Sequence, residues 1–442
     1  MWVGADQTIA KYLARDAQPE ARLAMALPGR HHSALIIPVR DESVDFIQGL
    51  LPAMEAAPGA LLIVVVNASQ DSSSQVLRSN QQLSQALREA CSAPGNDLAP
   101  GLVYLPFAQG GLLVVDRSSP GHALPPKQGV GLARKIGCDI AVMLWNSGVL
   151  TTPWLFSSDA DVTLPAGYFA ATEAARSEAG TLVFDFVHQA SGVPDLDRAT
   201  FEYELYLRYY TLGLAWAGSP YAFHTLGSCL AIRTEAYATV RGFPKREAGE
   251  DFHLLSKLAK VAAVQTIHQP LISIAARRSL RTPFGTGARV EALLAGATQG
   301  FHDPRLFMML QQLLGALRAW ALSPTPYLAP PDQPDELWEK GMAVLEELGL
   351  STALRHAEQI AREPTARLMH LHTWFDALKT LRTLRAVQQR TDLTELGSST
   401  ALQRAPFVAL PAGLNTLEAL QRVRQLGRAA PTVQGLTTLT VR

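Results

Sequence analysis

The chain has few cysteines, no surplus charge of either sign, no uninterrupted apolar run long enough to cross a bilayer and no common glycine-rich phosphate motif. Its three cysteines, Cys91, Cys138 and Cys229, are scattered without paired spacing, which argues against a disulfide framework and for reduced thiols in a cytoplasm. Lysine plus arginine equals aspartate plus glutamate at 39 each, so an extended nucleic-acid surface is not expected. The most apolar later segment, Leu306 to Leu322, is interrupted by Gln311, Gln312 and Arg318, and no membrane span is predicted. The first residues lack a basic-then-apolar pattern, so no export signal is expected. The expected location is the cytoplasm, with peripheral attachment at the inner face of a membrane as the alternative. Gly129-x-Gly131 is followed by Arg134 where a dinucleotide fingerprint needs its third glycine, and no run ends in Gly-Lys-Ser or Gly-Lys-Thr, which removes both the dinucleotide and the P-loop readings.

What is present centres on Ser158-Asp159-Ala160-Asp161, delivered by the apolar run Trp154-Leu155-Phe156. If residues 154 to 162 are extended, the side chains of Asp159 and Asp161 share a face. Hard oxygen ligands in that arrangement suit Mg²⁺ or Mn²⁺ holding a diphosphate; solvated turn carboxylates are the plainer alternative. Upstream, Ala34 to Val39 and Leu61 to Val66 are short apolar runs that break into polar loops, Arg40-Asp41-Glu42-Ser43 and Asn67-Ala68-Ser69-Gln70-Asp71. Between them Val44, Ile47, Leu51 and Met54 recur at helical spacing, giving strand, helix, strand as in a right-handed crossover. Ligands of open α/β sheets sit outside the carboxyl ends of the strands, so these loops and the aspartates are expected on one rim.

Downstream, Asp251 to Lys260 has apolar residues at 252, 254, 255, 258 and 259, an amphipathic helix with Glu250 and Asp251 in its first turn. Acids there either complement the helix dipole or do chemistry. Arg277-Arg278-Ser279-Leu280-Arg281 follows the next apolar strand, Leu271 to Ala275. Its guanidinium forks match phosphate oxygens, with a solvated loop as the alternative.

These blocks, in this order, resemble glycosyltransferase family 2, the nucleotide-sugar-dependent enzymes of GT-A fold. Ile36-Ile37-Pro38-Val39-Arg40-Asp41-Glu42 resembles the family's opening strand, and Val66-Asn67-Ala68-Ser69-Gln70-Asp71-Ser72-Ser73 its Asp-Asp-Gly-Ser-x-Asp-x-Thr loop. Gly129 to Lys135 is similar to the Gly-x-x-x-Ala-Arg-Asn helix, Ser158 to Asp161 to the Asp-x-Asp block, and Gly227 to Arg233 with Gly242-Phe243 to the acceptor-side strand and turn. Gly249-Glu250-Asp251 then resembles the catalytic Glu-Asp. The resemblance covers roughly residues 33 to 290.

It implies an α/β fold of GT-A type, a mostly parallel sheet flanked by helices, and transfer of a sugar from a nucleotide-diphosphate donor to an acceptor hydroxyl. Glu250 and Asp251 become the catalytic pair, with Asp251 as base in an inverting reaction. Asp161 becomes the direct ligand of Mn²⁺ or Mg²⁺, with Asp159 on a metal-bound water or the ribose. Pro38, Arg40, Glu42, Asn67, Asp71, Arg134, Asp159, Arg277 and Arg281 become the donor side. The acceptor, whether small molecule, glycan or lipid-linked, is not encoded in any short motif.

Three departures bear on the donor. Val66 and Asn67 stand where the family has two acids, so the contact to the base falls to an amide oxygen and uridine is not implied; Lys135 replaces an asparagine. Residues 74 to 126 form a long polar linker ending in Pro120-Gly121-His122-Ala123-Leu124-Pro125-Pro126, a segment placed to fold over the donor. A retaining transferase, a nucleotidyltransferase and a catalytically silent nucleotide-sugar binder are the alternatives. The second is disfavoured because Arg40-Asp41-Glu42-Ser43 contains no glycine. His268 is either a third metal ligand or a partly buried structural histidine.

At 442 residues the chain exceeds one core. The expected organisation is a helical lead-in over 1–32, the catalytic region over 33–290 and a helical region over 291–442. Helices are predicted there around 303–322, 335–348, 351–362, 365–389 and 415–427.

Overall fold

The computed structural model describes residues 5–91, 93–279, 285–430 and 432–436. The chain divides into two units, one of residues 1–191, 225–258 and 265–288, the other of residues 192–224, 259–264 and 289–442. Two stretches inside the expected catalytic region, 192–224 and 259–264, thus cluster with the second unit.

The first unit is built on one sheet. Strands β1 (Ala34–Val39) and β2 (Leu61–Asn67) are buried along their whole length and pair in parallel from Ala34 opposite Leu61 to Val39 opposite Val66. Continuous apolar runs are what a strand covered on both faces requires, and each buried branched side chain contributes about 1.5–3 kcal/mol. Between them runs helix α3 (Phe46–Glu55), the expected crossover helix. The further strands are β3 (Asn96–Ala99), β4 (Leu102–Phe107), β5 (Gly110–Arg117), β6 (Trp154–Ser157), β7 (Val162–Thr163), β8 (Ala179–Gln189), β9 (Leu230–Arg233) and β10 (Ala263–Ala275). Their order across the sheet is β10-β8-β9-β6-β1-β2-β5-β4-β3, with β7 on β10.

The sheet is mixed, which corrects the expectation of a mostly parallel one. The centre, where β1, β2, β5 and β6 meet, is parallel, whereas β3, β4, β7 and β9 all pair antiparallel. The expected linker over 74–126 is a second correction. It contains α4 (Ser74–Glu89) and strands β3 to β5, and β5 lies in the sheet beside β2. The glutamines Gln75, Gln81, Gln82 and Gln85 that suggested a linker are the exposed face of α4, while Asn80, Leu83 and Leu87 are its buried one.

Helix α5 (Gly129–Asn146) is buried from Gly131 to Val142. It lies so close to the sheet that a Cβ on Gly137 would come 2.5 Å from the Ile36 side chain. The lead-in helix α1 (Ala5–Arg15) and the connection from it to α2 (Glu20–Leu23) are tied to α5 through Asp139, which is fully buried. Asp139 accepts from the Tyr12 hydroxyl, from the Gln18 backbone N–H at 2.7 Å and from the Tyr237 hydroxyl at 3.2 Å, and pairs with Lys135 at 3.1 Å. Lys135, where the resembled motif has asparagine, is therefore the cation that neutralises this buried carboxylate. Helices α6 (Pro194–Trp216), α7 (Thr234–Thr239), α8 (Glu250–Leu258) and α9 (Thr286–Leu294) follow along the chain.

The second unit is helical. Besides α6 it holds α10 (Pro304–Leu322), α11 (Glu336–Glu347), α12 (Leu350–Ile360), α13 (Pro364–Trp374), α14 (Ala377–Gln389), α15 (Ser398–Arg404) and α16 (Thr416–Ala429). The helix expected over 365–389 is two helices. Phe375 leaves the helical conformation, and the Asp376 carboxylate caps the N–H groups of Leu378 and Lys379 to start the next. Tyr209, Phe301, Phe307, Leu310, Leu317 and Trp338 are among its core side chains. The fully buried Glu204 on α6 takes a bidentate bond from Arg424 of α16, at 2.8 and 2.7 Å, and a third from Arg208 at 2.7 Å. No helix among the described residues is long and apolar enough to cross a membrane.

Candidate active site

The rim at the carboxyl ends of β1, β2 and β6 is organised around Arg134, near the start of α5. Its guanidinium is 3% exposed and spends its donors on four acceptors. Nε donates to Glu250 Oε1 at 2.9 Å, Nη1 to Ser157 Oγ at 2.9 Å and to the Ser158 carbonyl at 3.0 Å, and Nη2 to Asp159 Oδ1 at 2.6 Å. Burial alone would lower its pKa; Asp159, Glu250 and Asp251 more than reverse this and keep it charged. One side chain thereby joins the Asp-x-Asp turn to the Glu-Asp helix. Gly227 makes room for it, since a Cβ there would lie 2.7 Å from Arg134 Nη2.

Asp251 opens α8 beside Glu250. Its Oδ2 accepts the Gly227 N–H at 2.9 Å and its Oδ1 the Phe252 N–H at 2.7 Å. Burial first, and the Glu250 charge second, push its pKa up to about 7 against the opposing pull of these N–H groups and Arg134. Such a carboxyl is poised between acid and base near neutrality.

Asp159 and Asp161 do not share a continuous strand, contrary to the expectation from 154–162. β6 ends at Ser157, and the aspartates occupy the turn into β7. Burial raises the pKa of Asp161; Arg277 opposes this, and the charges of Asp159 and Glu42 add to it. Arg277 Nε donates to Asp161 Oδ2 at 2.7 Å, and its Nη1 lies 2.9 Å from both carboxylate oxygens of Glu42. The backbone fixes this pair: β7 runs antiparallel to β10, Val162 opposite Ile274, and the Ala275 N–H donates to the Asp161 carbonyl at 2.8 Å.

The other expected donor residues are placed differently. Pro38 is buried in β1 opposite Val65. Asn67 is buried, and its amide nitrogen donates to the Val39 carbonyl at 2.9 Å and the Val65 carbonyl at 3.2 Å, tying together the ends of the first two strands. Arg40 Nη2 reaches Ser72 Oγ at 3.5 Å, and Asp71 is exposed in the turn after β2. The segment 120–126 lies beside that turn, with Leu124 exchanging backbone bonds with Ala68 and Gln70. Arg281 lies outside the described residues.

Sequence reasoning missed Asn80. From α4 its amide donates to the Asn67 carbonyl and to Ser118 Oγ, both at 2.9 Å, and its oxygen accepts the Asp41 N–H at 2.8 Å, so one side chain braces the loops after β1, β2 and β5. Its only local signal is a polar residue at a position where α4 turns inward. Ser157 and Ser158 were also missed as positioning groups, their hydroxyls donating to the Gly227 and Ser228 carbonyls at 3.1 and 2.8 Å.

His268 Nδ1 is 3.7 Å from Asp185, and among the described residues no three histidine, cysteine or carboxylate side chains are gathered to hold a metal ion unaided. Asp159 and Asp161 offer two hard carboxylates. That donor set fits an ion of the Mg²⁺ or Mn²⁺ kind, which binds through one or two carboxylates plus substrate phosphates and waters.

No family model and no curated protein matches the chain. Among solved structures, residues 1–349 of S. aureus TarS in complex with UDP-GlcNAc align over 90% of this chain and 91% of that one, at 12% identity and a TM-score of 0.33. A longer TarS structure aligns over 81% of this chain and 55% of that one, at 13% identity and a TM-score of 0.33. A mycobacterial protein aligns over 65% and 85%, at 16% identity and a TM-score of 0.29. Scores of this size leave fold and function to be argued from the chain itself.

Proposed function

We propose that the first unit is a glycosyltransferase of GT-A type, transferring a sugar from a nucleoside-diphosphate donor to an acceptor hydroxyl with inversion at the anomeric carbon. The observation that carries this is the Arg134 junction. Two acidic motifs that are far apart in the sequence, Asp159-x-Asp161 and Glu250-Asp251, meet on one buried guanidinium at 2.6 and 2.9 Å. A donor-binding turn and a proton acceptor must stand side by side for this reaction, and here they share a brace.

In this reading Asp251 removes the acceptor proton, a role suited to a carboxyl with its pKa pushed up to about 7. Glu250 is a positioning residue, holding Arg134 by its Nε. Arg134 fixes the orientation of Asp159, and Asn67, Asn80 and Ser72 shape the cradle for the nucleoside. Asp161 and Asp159 would hold Mn²⁺ or Mg²⁺, and an ion bound there would supply Lewis-acid stabilisation of a diphosphate leaving group. Arg277 supplies a guanidinium fork for phosphate oxygens. The location consistent with this chemistry is the cytoplasm, where nucleotide-activated donors are made.

The test is a thermal-shift panel of nucleotide sugars and nucleoside diphosphates with and without Mn²⁺, followed by NMR of the anomeric proton of any product. A specific donor raises the melting temperature according to RT ln(1 + [L]/Kd). No stabilisation by any donor would remove the assignment, and product retaining the donor's configuration would remove Asp251 as the base while leaving transfer in place.

A further inference from the structure

Arg277 is bound to a proposed metal ligand, and this has consequences for how a metal could bind. Its Nε lies 2.7 Å from Asp161 Oδ2, while its Nη1 is held by Glu42 at 2.9 Å. The pairing of β7 with β10 sets the backbone of Asp161 and the approach to Arg277, so the contact belongs to the fold. The side chain remains 30% exposed, against 12% for Glu42 and 21% for Asp161, so an incoming anion can reach it. A divalent cation and a guanidinium on one carboxylate repel each other at this range.

We infer that Arg277 is a built-in counter-ion for the metal ligand Asp161, and that it makes metal binding depend on the donor diphosphate. With no donor bound, the guanidinium neutralises Asp161 and opposes a metal ion arriving alone. A diphosphate gives the same fork two oxygens of matching geometry, so Arg277 turns on Glu42 from the carboxylate to the phosphate and leaves Asp161 to the cation. Diphosphate and metal then bind with positive coupling, each strengthening the other by the same factor. No covalent step is involved; one ion pair is exchanged for two. The inference rests on the reading of Asp161 as a metal ligand.

The experiment measures Mn²⁺ binding to the full chain by electron paramagnetic resonance, without any nucleotide. Wild type should bind Mn²⁺ weakly, and Arg277→Gln on the order of tenfold or more tightly, because the competing charged hydrogen bond is gone. The gain should vanish in the double variant Arg277→Gln, Asp161→Asn. Arg277→Lys, which keeps the charge but cannot span both carboxylates, should fall between and decides the matter if circular dichroism shows the glutamine variant misfolded. Equal or weaker Mn²⁺ binding by both single variants would overturn the role of Arg277 while leaving the transferase reading intact. If no variant binds Mn²⁺ alone or with UDP, GDP or ADP tested in turn, Asp161 is not a metal ligand and the inference falls with that assignment.

Discussion

Replacing Asp251 by asparagine probes the candidate base without any knowledge of its substrates. In the folded chain the carboxyl keeps its proton until about pH 7, against an ordinary value of 3.8. Folding is therefore linked to proton uptake between those values, and the stability that the protonated group contributes is lost as pH rises towards about 7. Asparagine has no such proton, so relative to wild type the variant gains stability with rising pH. The gap of about three pH units sets an upper bound of about 4 kcal/mol on that gain. Opposing it, both carboxylate oxygens accept backbone N–H groups, from Gly227 and Phe252, and an amide can accept only one. The lost bond costs about 1–3 kcal/mol at every pH. Asp251→Asn should therefore be the less stable protein near pH 4.5 and as stable as wild type or more so near pH 8. Urea unfolding followed by circular dichroism at both values makes the comparison. A difference between the two proteins that does not change with pH would refute the raised pKa. In a nucleoside-diphosphate release assay the same variant should lose about 10²- to 10⁴-fold in turnover, so that at alkaline pH stability and activity move apart.

Three other substitutions test separate parts of the account. Gly227→Ala places a methyl 2.7 Å from Arg134 Nη2; it should cost about 1–3 kcal/mol by overpacking and abolish the donor-induced thermal shift, and an unchanged shift would mean that Arg134 does not organise the site. Asp139→Asn leaves Lys135 buried without its carboxylate, which should cost about 3–5 kcal/mol and loosen the lead-in so that trypsin cleaves faster at its exposed Arg15 and Arg22; resistance equal to wild type would mean that the lead-in docks by other contacts. Glu204→Gln strips the shared carboxylate from Arg208 and Arg424 and should destabilise the helical unit by about 3–5 kcal/mol in urea, whereas a loss below about 1 kcal/mol would place that ion cluster among the dispensable ones.

Hydrophobic periodicity alone makes the central elements legible. β1, β2 and α3 follow from two apolar runs and one helical stripe, and α8 from the spacing of Leu254, Leu255 and Leu258. The same signal fails over 74–126, where only three inward positions of α4 face the core and the glutamines dominate its composition. It also misjudges the Asp159–Asp161 segment, because a two-residue spacing describes a tight turn as well as a strand. Candidate acids are legible as residue types in a resembled order. Their partners are not, since Arg134 with Glu250 and Arg277 with Glu42 are joined by tertiary approach and no local pattern encodes that. Asn67 shows this most clearly: its amide nitrogen is committed to two strand carbonyls, a bracing role that no local pattern encodes.

The ion pairs that define the site also set a schedule for its assembly. Arg134 and Glu250 are separated by 116 positions, Asp161 and Arg277 by 116, and Glu42 and Arg277 by 235. As the chain emerges from a ribosome, the first two strands and their helix are complete long before the guanidinium that will sit on Glu42 exists. Contacts of such separation form late because their loop-closure entropy must be met first. Until residue 277 arrives, the rim carries Glu42 and Asp161 without their shared counter-charge.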